Sequence, residues 1–437
     1  MLLDFPNHPV QLKDCKQTSL GCTLYCDEVS AHGGQYMFIL WTSDHSPFAT
    51  NSMASRWPIC VIPADRYLIV DGKNITLECA TVAITESFNK LALHGVKIKD
   101  MPSCGGKTVA RLRFFVMGFR GDWKALKQVF HMDRNYNENE ICWLCGATKG
   151  NDGDLARAFS DLSSSAGFWA TYLTNPPWST APGYTKLIGF HLLVISPDLL
   201  HCLNLGVFKD IIASTLKVIL GDQTVFQGGL LEERMKRATE SIRQYARANK
   251  LPLRLHKFTK AKLTWKTRTY PEFKGSGYDA SVCMRWLEAI LAPHSDTYGD
   301  ICTMIWAFNH STKLLCDVPR WFLTGDEKST VETVGLLGLR LFLKLASGAR
   351  TNGDFLWRVK PKVHLVHHIF ANRRPSRINY RVYSTWMDED FLKHIGRTLK
   401  LVSSQSAQKR ILQRWLMTIP GNIRKCFRQL RSKQPGV

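Results

Sequence analysis

Three acidic residues stand in settings that suit metal-assisted phosphoryl chemistry. Asp27 lies in the strand-like run Thr23-Leu-Tyr-Cys-Asp-Glu-Val29, and Asp122 closes the strand-like run Ala110-Arg-Leu-Arg-Phe-Phe-Val-Met-Gly-Phe-Arg-Gly-Asp122. Glu389 falls in Trp386-Met-Asp-Glu-Asp-Phe391, where a helix-like stretch begins. Carboxylates are hard oxygen donors, matched to Mg2+ or Mn2+. Two such ions about 3.5–4 Å apart clamp the attacking and leaving oxygens of a phosphodiester. Read this way, Asp27, Asp122 and Glu389 are catalytic metal ligands for two ions. The structural alternative is that acids at helix starts serve the helix dipole. Glu28, Asp388 and Asp390 flank the assigned acids, so the register of the first and third is open by a residue or two.

A second metal-type signal is Cys142-Trp-Leu-Cys145, whose spacing suits two thiolates on one Zn2+. His201, His131 and Cys104 are candidates to complete it; the alternative is a pair of thiols in a turn beside a buried Trp143. Asp198 and His201 stand at i and i+3 and can share a helix face. Asp198, after Pro197, also reads as a helix cap. His364, His367 and His368 lie among Arg358, Lys360 and Lys362, a setting that favours phosphate contact over metal. Lys260, Lys262, Lys266, Arg268 and Lys274 interleave with Trp265, Tyr270 and Phe273, a mixture that can hold phosphates and stack bases. After Asp390 there is no acid but 11 Lys and Arg, among them Arg397, Lys409, Arg410, Arg414 and Lys433.

The elements that must position these groups are readable in outline. Thr23–Val29 and Gln35–Ser43 are strand-like and meet across the turn Ala31-His-Gly-Gly34. Trp57–Pro63 and Tyr67–Val70 offer a further strand or pair, Leu77–His94 reads as an amphipathic helix stopped by Gly95, and Ala110–Phe119 and Trp123–Phe130 read as strand then helix. From Phe190 to Ala346 the periodicity is helical. The expected organisation is 1–135 as the first part of a core, 136–189 as a connection holding the cysteine pair, 190–355 as a helical insertion, and 356–437 as the last part of the core with a basic tail.

Composition narrows the partners. Of 437 residues, 58 are Lys or Arg and 36 Asp or Glu, a net charge of +22 that favours an anionic partner, above all nucleic acid. With 45% hydrophobic residues the chain builds a core, which excludes a disordered class. No uncharged apolar run reaches about 18 residues, so no membrane span is expected. The 13 cysteines lack a disulfide-like spacing and the first residues lack a leader pattern, which points to a reducing compartment and, with the basic charge, to the nucleus.

In order, these motifs resemble DDE/D transposases of eukaryotic DNA elements, nearest to the CACTA and Kyakuja–Dileera–Zisupton type. Gly121-Asp122-Trp123 precedes a helix and then Cys142-x-x-Cys145; Asp198-Leu-Leu-His201 with Leu203-Asn-Leu-Gly206-Val207 looks like the [Cys/Asp]-x-x-His signature; Pro361-Lys-Val-His364 precedes the last acid. The resemblance covers roughly residues 20 to 415. It implies an α/β fold, an RNase H-like mixed-sheet core interrupted by a large helical insertion, and DNA strand cleavage and transfer by a homo-oligomer on DNA ends. Asp27 leaves little room upstream for the separate DNA-binding module that many such transposases carry, as in a fragment or a domesticated copy. Two other functions fit the same residues: a non-catalytic DNA-binding protein derived from a transposase, and a zinc-dependent interaction module.

Overall fold

The computed structural model describes residues 2–5, 7–11, 18–42, 51–99, 106, 108–150, 153 and 155–432. In chain order the elements are β1 (Ser19–Ala31), β2 (Gly34–Thr42), the single turn α1 (Ser52–Ser55), β3 (Arg56–Pro63), the short pair β4 (Ile69–Val70) and β5 (Lys73–Asn74), α2 (Ile75–His94), β6 (Val96–Lys99), β7 (Thr108–Gly121) and α3 (Trp123–Val129). A π-helical segment, Leu200–Val207, leads into α4 (Phe208–Gly221). Then come α5 (Leu231–Ala248), α6 (Gly277–Leu291), α7 (Ser295–Asp317), α8 (Gly325–Thr351), α9 (Lys362–Ala371), α10 (Trp386–Leu399) and α11 (Ala407–Ser432). The chain divides into two compact units, one of Met1–Cys145, Thr171–Asp198 and Tyr383–Val437, the other of Gly146–Ala170 and Leu199–Val382. The α-helices of the second unit run from α4 through α9.

The first unit is a mixed α/β structure around a sheet in the order β3-β2-β1-β7-β6. β1 to β3 are antiparallel neighbours, β7 runs parallel to β1, and β6 pairs antiparallel with β7. Its first hairpin follows from two residues. His32 and Gly33 both take positive φ, 52° and 75°, as a two-residue turn matched to the strand twist requires. Asn74 caps α2 by accepting from the Leu77 amide, and Gly95, at φ 64°, ends it. β6 was not anticipated. It is four residues long, exposed throughout and holds two lysines, features that suit a sheet edge.

Alternation along β1 sends successive side chains to opposite faces. On one face Tyr25 joins Phe38, Leu40 and Val61 with Phe391, Ile395 and Leu399 of α10 and Ile411, Trp415 and Ile419 of α11 in one buried cluster. Against the sheet α2 lies on β7 and α3 on β1, and Lys124 of α3 pairs with Glu28. The C-terminal helices are therefore part of the core and not an appended tail; Lys433 lies outside the described residues.

A buried ionic group ties α10 to the sheet. Asp388 is 0% exposed, accepts from Arg56 Nε at 2.8 Å and pairs with Arg120 Nε at 3.6 Å. Arg120 in turn donates to the hydroxyls of Thr23 (2.7 Å) and Thr42. One carboxylate thus meets two guanidiniums carried by β3 and β7.

The second unit is helical. α7 packs on α8 and α8 on α9, while Phe258 stacks on Trp286 at a ring separation of 5.7 Å. α9 is buried from Val363 to Ala371, as its apolar residues on every side require. Among the described residues no helix is long and apolar enough to cross a membrane.

The ionic group yields a test. Asp388→Ala leaves two buried guanidiniums without their shared anion and should lower the unfolding free energy of the α/β unit by about 3–5 kcal/mol in urea titrations. A loss under ~1 kcal/mol, the level of an exposed pair, would contradict its role.

Candidate metal centres

Asp27 and Glu389 come from opposite ends of the chain and meet on one face of the sheet. Their carboxylate ligand atoms lie within 4.8 Å of each other. Asp27 shares its strand face with Tyr25 and Val29, and α10, which carries Glu389, packs on that strand. Helical periodicity sends the three acids of the Asp388-Glu389-Asp390 run in different directions. Asp388 turns into the core onto the arginines, whereas exposed Asp390 accepts from the Ser52 hydroxyl at 2.7 Å. Glu28 points to the other face of the sheet, toward Lys124. Two ionised carboxylates 4.8 Å apart repel by about 3–4 kcal/mol at an effective dielectric near 20, which a divalent cation between them reverses.

Asp27 is held on both oxygens. Tyr25 donates its hydroxyl to Oδ2 at 2.6 Å, and the Glu28 amide donates to Oδ1 at 2.7 Å. The Tyr25 phenol is pushed well above its usual pKa, first by burial and then by the charges of Asp27, Glu389 and Asp388, so it stays protonated and donating.

Asp122 does not join the pair. It stands one residue beyond Gly121, which pairs with Cys26, so it ends the strand beside Asp27. The approach there is close: a Cβ at Gly121 would lie 2.5 Å from the Cys26 carbonyl oxygen. Both Asp27 and Asp122 raise the Cys26 thiol pKa, after burial, which raises it most. Yet the Asp122 side chain caps α3, accepting from the Ala125 amide at 2.6 Å. The expected three-acid convergence is thus two acids together with the third turned to a helix end, where four backbone amides need acceptors.

Asp198 has a defined task. Buried at 4% exposure, it accepts from the Thr385 amide at 3.1 Å and the Thr385 hydroxyl at 2.6 Å. Thr385 is the residue before α10, and its carbonyl accepts from the Glu389 amide at 2.8 Å. Asp198 therefore anchors the helix start that carries Glu389.

The cysteine pair and the histidines of α9 are each buried in their own unit. Cys142 and Cys145, both 0% exposed, close the first stretch of the first unit, a thiol pair that could hold a metal such as zinc. Trp143, between the cysteines, is itself buried and donates Nε1 to the Ile195 carbonyl at 2.9 Å. On α9 the Nε2 atoms of His364 and His368 stand 3.0 Å apart, and Phe168 and Trp169 pack edge-on against these rings. His201 sits in the π-helical segment of the second unit. His131 pairs instead with Glu78 at 3.1 Å, and Cys104 lies outside the described residues. Phosphate contact by His364, His367 and His368 is excluded by burial, since all three are at most 3% exposed.

The basic candidates divide. Lys360 is committed internally, to Asp210 at 2.9 Å and Glu272 at 2.8 Å, so it is not a phosphate ligand. Burial raises Asp210 to about 6 even against this lysine. Lys260 pairs with Glu232 at the surface. Lys262 and Lys362 are half-buried. Lys266, Arg268, Lys274, Arg397, Lys409, Arg410 and Arg414 are exposed. The stretch 257–274 is a turn-rich loop, not a hairpin edge, with Phe273 buried and Tyr270 beneath Arg358.

No family model matches the chain, and no curated protein matches it.

The Asp198 anchor generates a prediction. Asp198→Ala removes the acceptor of two buried donors, each worth about 1–3 kcal/mol when left unpaired. Hydrogen exchange should quicken at the amides of residues 385–389 well before the sheet opens. Unchanged protection there would show that Asp198 does not hold this helix start.

Proposed function

We propose that the chain is a transposase-like, DNA-cutting protein with an RNase H-like core, acting in the nucleus as a homo-oligomer on DNA ends. The observation that carries this reading is the meeting of Asp27 and Glu389 on the sheet face, within 4.8 Å. The strand, strand, strand, helix, strand, helix order through Trp123–Val129, apart from short additions, supports it. So does the net charge of +22, with Arg397 of α10 and Lys409, Arg410 and Arg414 of α11 exposed on helices whose other side is core. Such a face can track phosphates.

In this reading Asp27 and Glu389 hold the cations, and Asp122 joins them by leaving its cap when DNA and metal arrive. When bound, two Mg2+ or Mn2+ ions activate water and neutralise charge on the attacking and leaving oxygens. The chain contributes geometry. Asp198 and Asp388 fix α10, Tyr25 and the Glu28 amide fix Asp27, and the basic helices align the phosphodiester across the acids. Cleavage leaves a 3′-hydroxyl that the same site can direct at a second phosphodiester.

A second reading, a non-catalytic DNA-binding descendant of such an enzyme, is favoured by one observation: the Asp122 carboxylate is engaged in a helix cap. Nicking assays on supercoiled DNA separate the two. The wild-type chain should nick with Mg2+ or Mn2+, and Asp27→Asn or Glu389→Gln should abolish nicking while leaving DNA binding intact. Binding without nicking in either metal would favour the descendant.

The cysteine pair we read as part of a structural Zn2+ site. Cys142-x-x-Cys145 has the spacing of two ligands of a closed zinc centre, and both thiols are buried. Metal analysis of the purified chain should find about one zinc per molecule, lost in Cys145→Ser. Zinc-free protein of unchanged stability would remove this part of the proposal.

A further inference from the structure

Tyr25 is an unusual core residue. It is 0% exposed and belongs to the apolar cluster formed by the sheet with α10 and α11. A phenylalanine would fill that slot without a polar atom to satisfy. The hydroxyl instead ends 2.6 Å from Asp27 Oδ2, within the range of a short, charge-assisted bond. The two residues are i and i+2 on one strand, so they share a face by backbone geometry alone. The other carboxylate oxygen is held from the main chain by the Glu28 amide at 2.7 Å. With one donor on each oxygen the plane of the carboxylate is set. It is set where the Glu389 carboxylate approaches within 4.8 Å.

We propose that Tyr25 is a positioning residue for a divalent-cation site: its hydroxyl holds the Asp27 carboxylate in the orientation that ligates the ion opposite Glu389. The inference rests on the reading of Asp27 and Glu389 as metal ligands. Carboxylates that bind metals are themselves hydrogen-bonded, and loss of such an outer partner typically weakens metal binding by about 10–100-fold. The phenol ring is locked by core packing, so the donor is in place before the ion arrives. Asp27 then pays little rotational entropy on binding, and its affinity depends on a group that never touches the metal.

The test is Mn2+ binding to the full chain without DNA, followed by electron paramagnetic resonance or calorimetry, so that turnover is not the readout. Tyr25→Phe should weaken Mn2+ binding by about 10–100-fold. p-Aminophenylalanine at position 25 returns a donor to the same place and should restore most of the affinity. A purely structural tyrosine predicts something else: lower thermal stability with Mn2+ affinity unchanged, and that result overturns the inference. If Tyr25→Phe does not fold, p-fluorophenylalanine fills the space of the hydroxyl without a proton to donate, and the same loss of affinity is expected from it. Wild-type protein that binds no Mn2+ would overturn the metal reading of the acids and this inference with it. Wild-type binding that Tyr25→Phe leaves intact would overturn the inference alone.

Discussion

Asp388 between Arg56 and Arg120 is the constraint from which the α/β unit takes its working geometry. The carboxylate is fully buried, and its partners come from strands on either side of the central hairpin strands. A buried charge without its partner is far costlier than the pair is beneficial, so the group specifies one arrangement more than it adds stability. That arrangement sets the first turn of α10 against β1. Because Glu389 is the next residue, its carboxylate is delivered to Asp27 by the same contact. The exposed Asp390, one further on, is delivered to Ser52.

Other interactions narrow the same geometry. Asp198 holds Thr385 from outside the helix, and the Thr385 carbonyl bonds the Glu389 amide within it. Tyr25 and the Glu28 amide do for Asp27 what Asp198 does for α10. A pair of acids that repel one another is thus held together by neutral and cationic donors that cannot move without opening the core. This is what a cation site needs before it has a cation. The short sequence around Asp198 acquires a physical meaning here: its Asp acts on a helix nearly two hundred residues away in the chain.

Local patterns carried much of the fold and part of the site. The His32-Gly33 turn, the Asn74 and Gly95 ends of α2, the β7 run and the helix after Asp122 all follow from nearest-neighbour chemistry, and each is legible from a few adjacent residues. The long-range pairings were not. The lysines around His364 and His368 suggest a surface that burial denies. Lys360 reads as a free cation until Asp210 and Glu272 are found beside it. Asp122 was legible both as a ligand and as a cap, and a strand-end acid before a helix satisfies both descriptions. Periodicity states which face a residue takes on its own element; it does not say which distant element will cover that face.

The central claim is that Asp27 and Glu389 bind divalent cations. Anomalous diffraction from crystals of the protein soaked in Mn2+ tests it most directly. The account predicts anomalous density between the Asp27 and Glu389 carboxylates, with a second peak about 3.5–4 Å away once DNA is bound and Asp122 has turned inward. Ordered carboxylates with no manganese between them, with or without DNA, would contradict it.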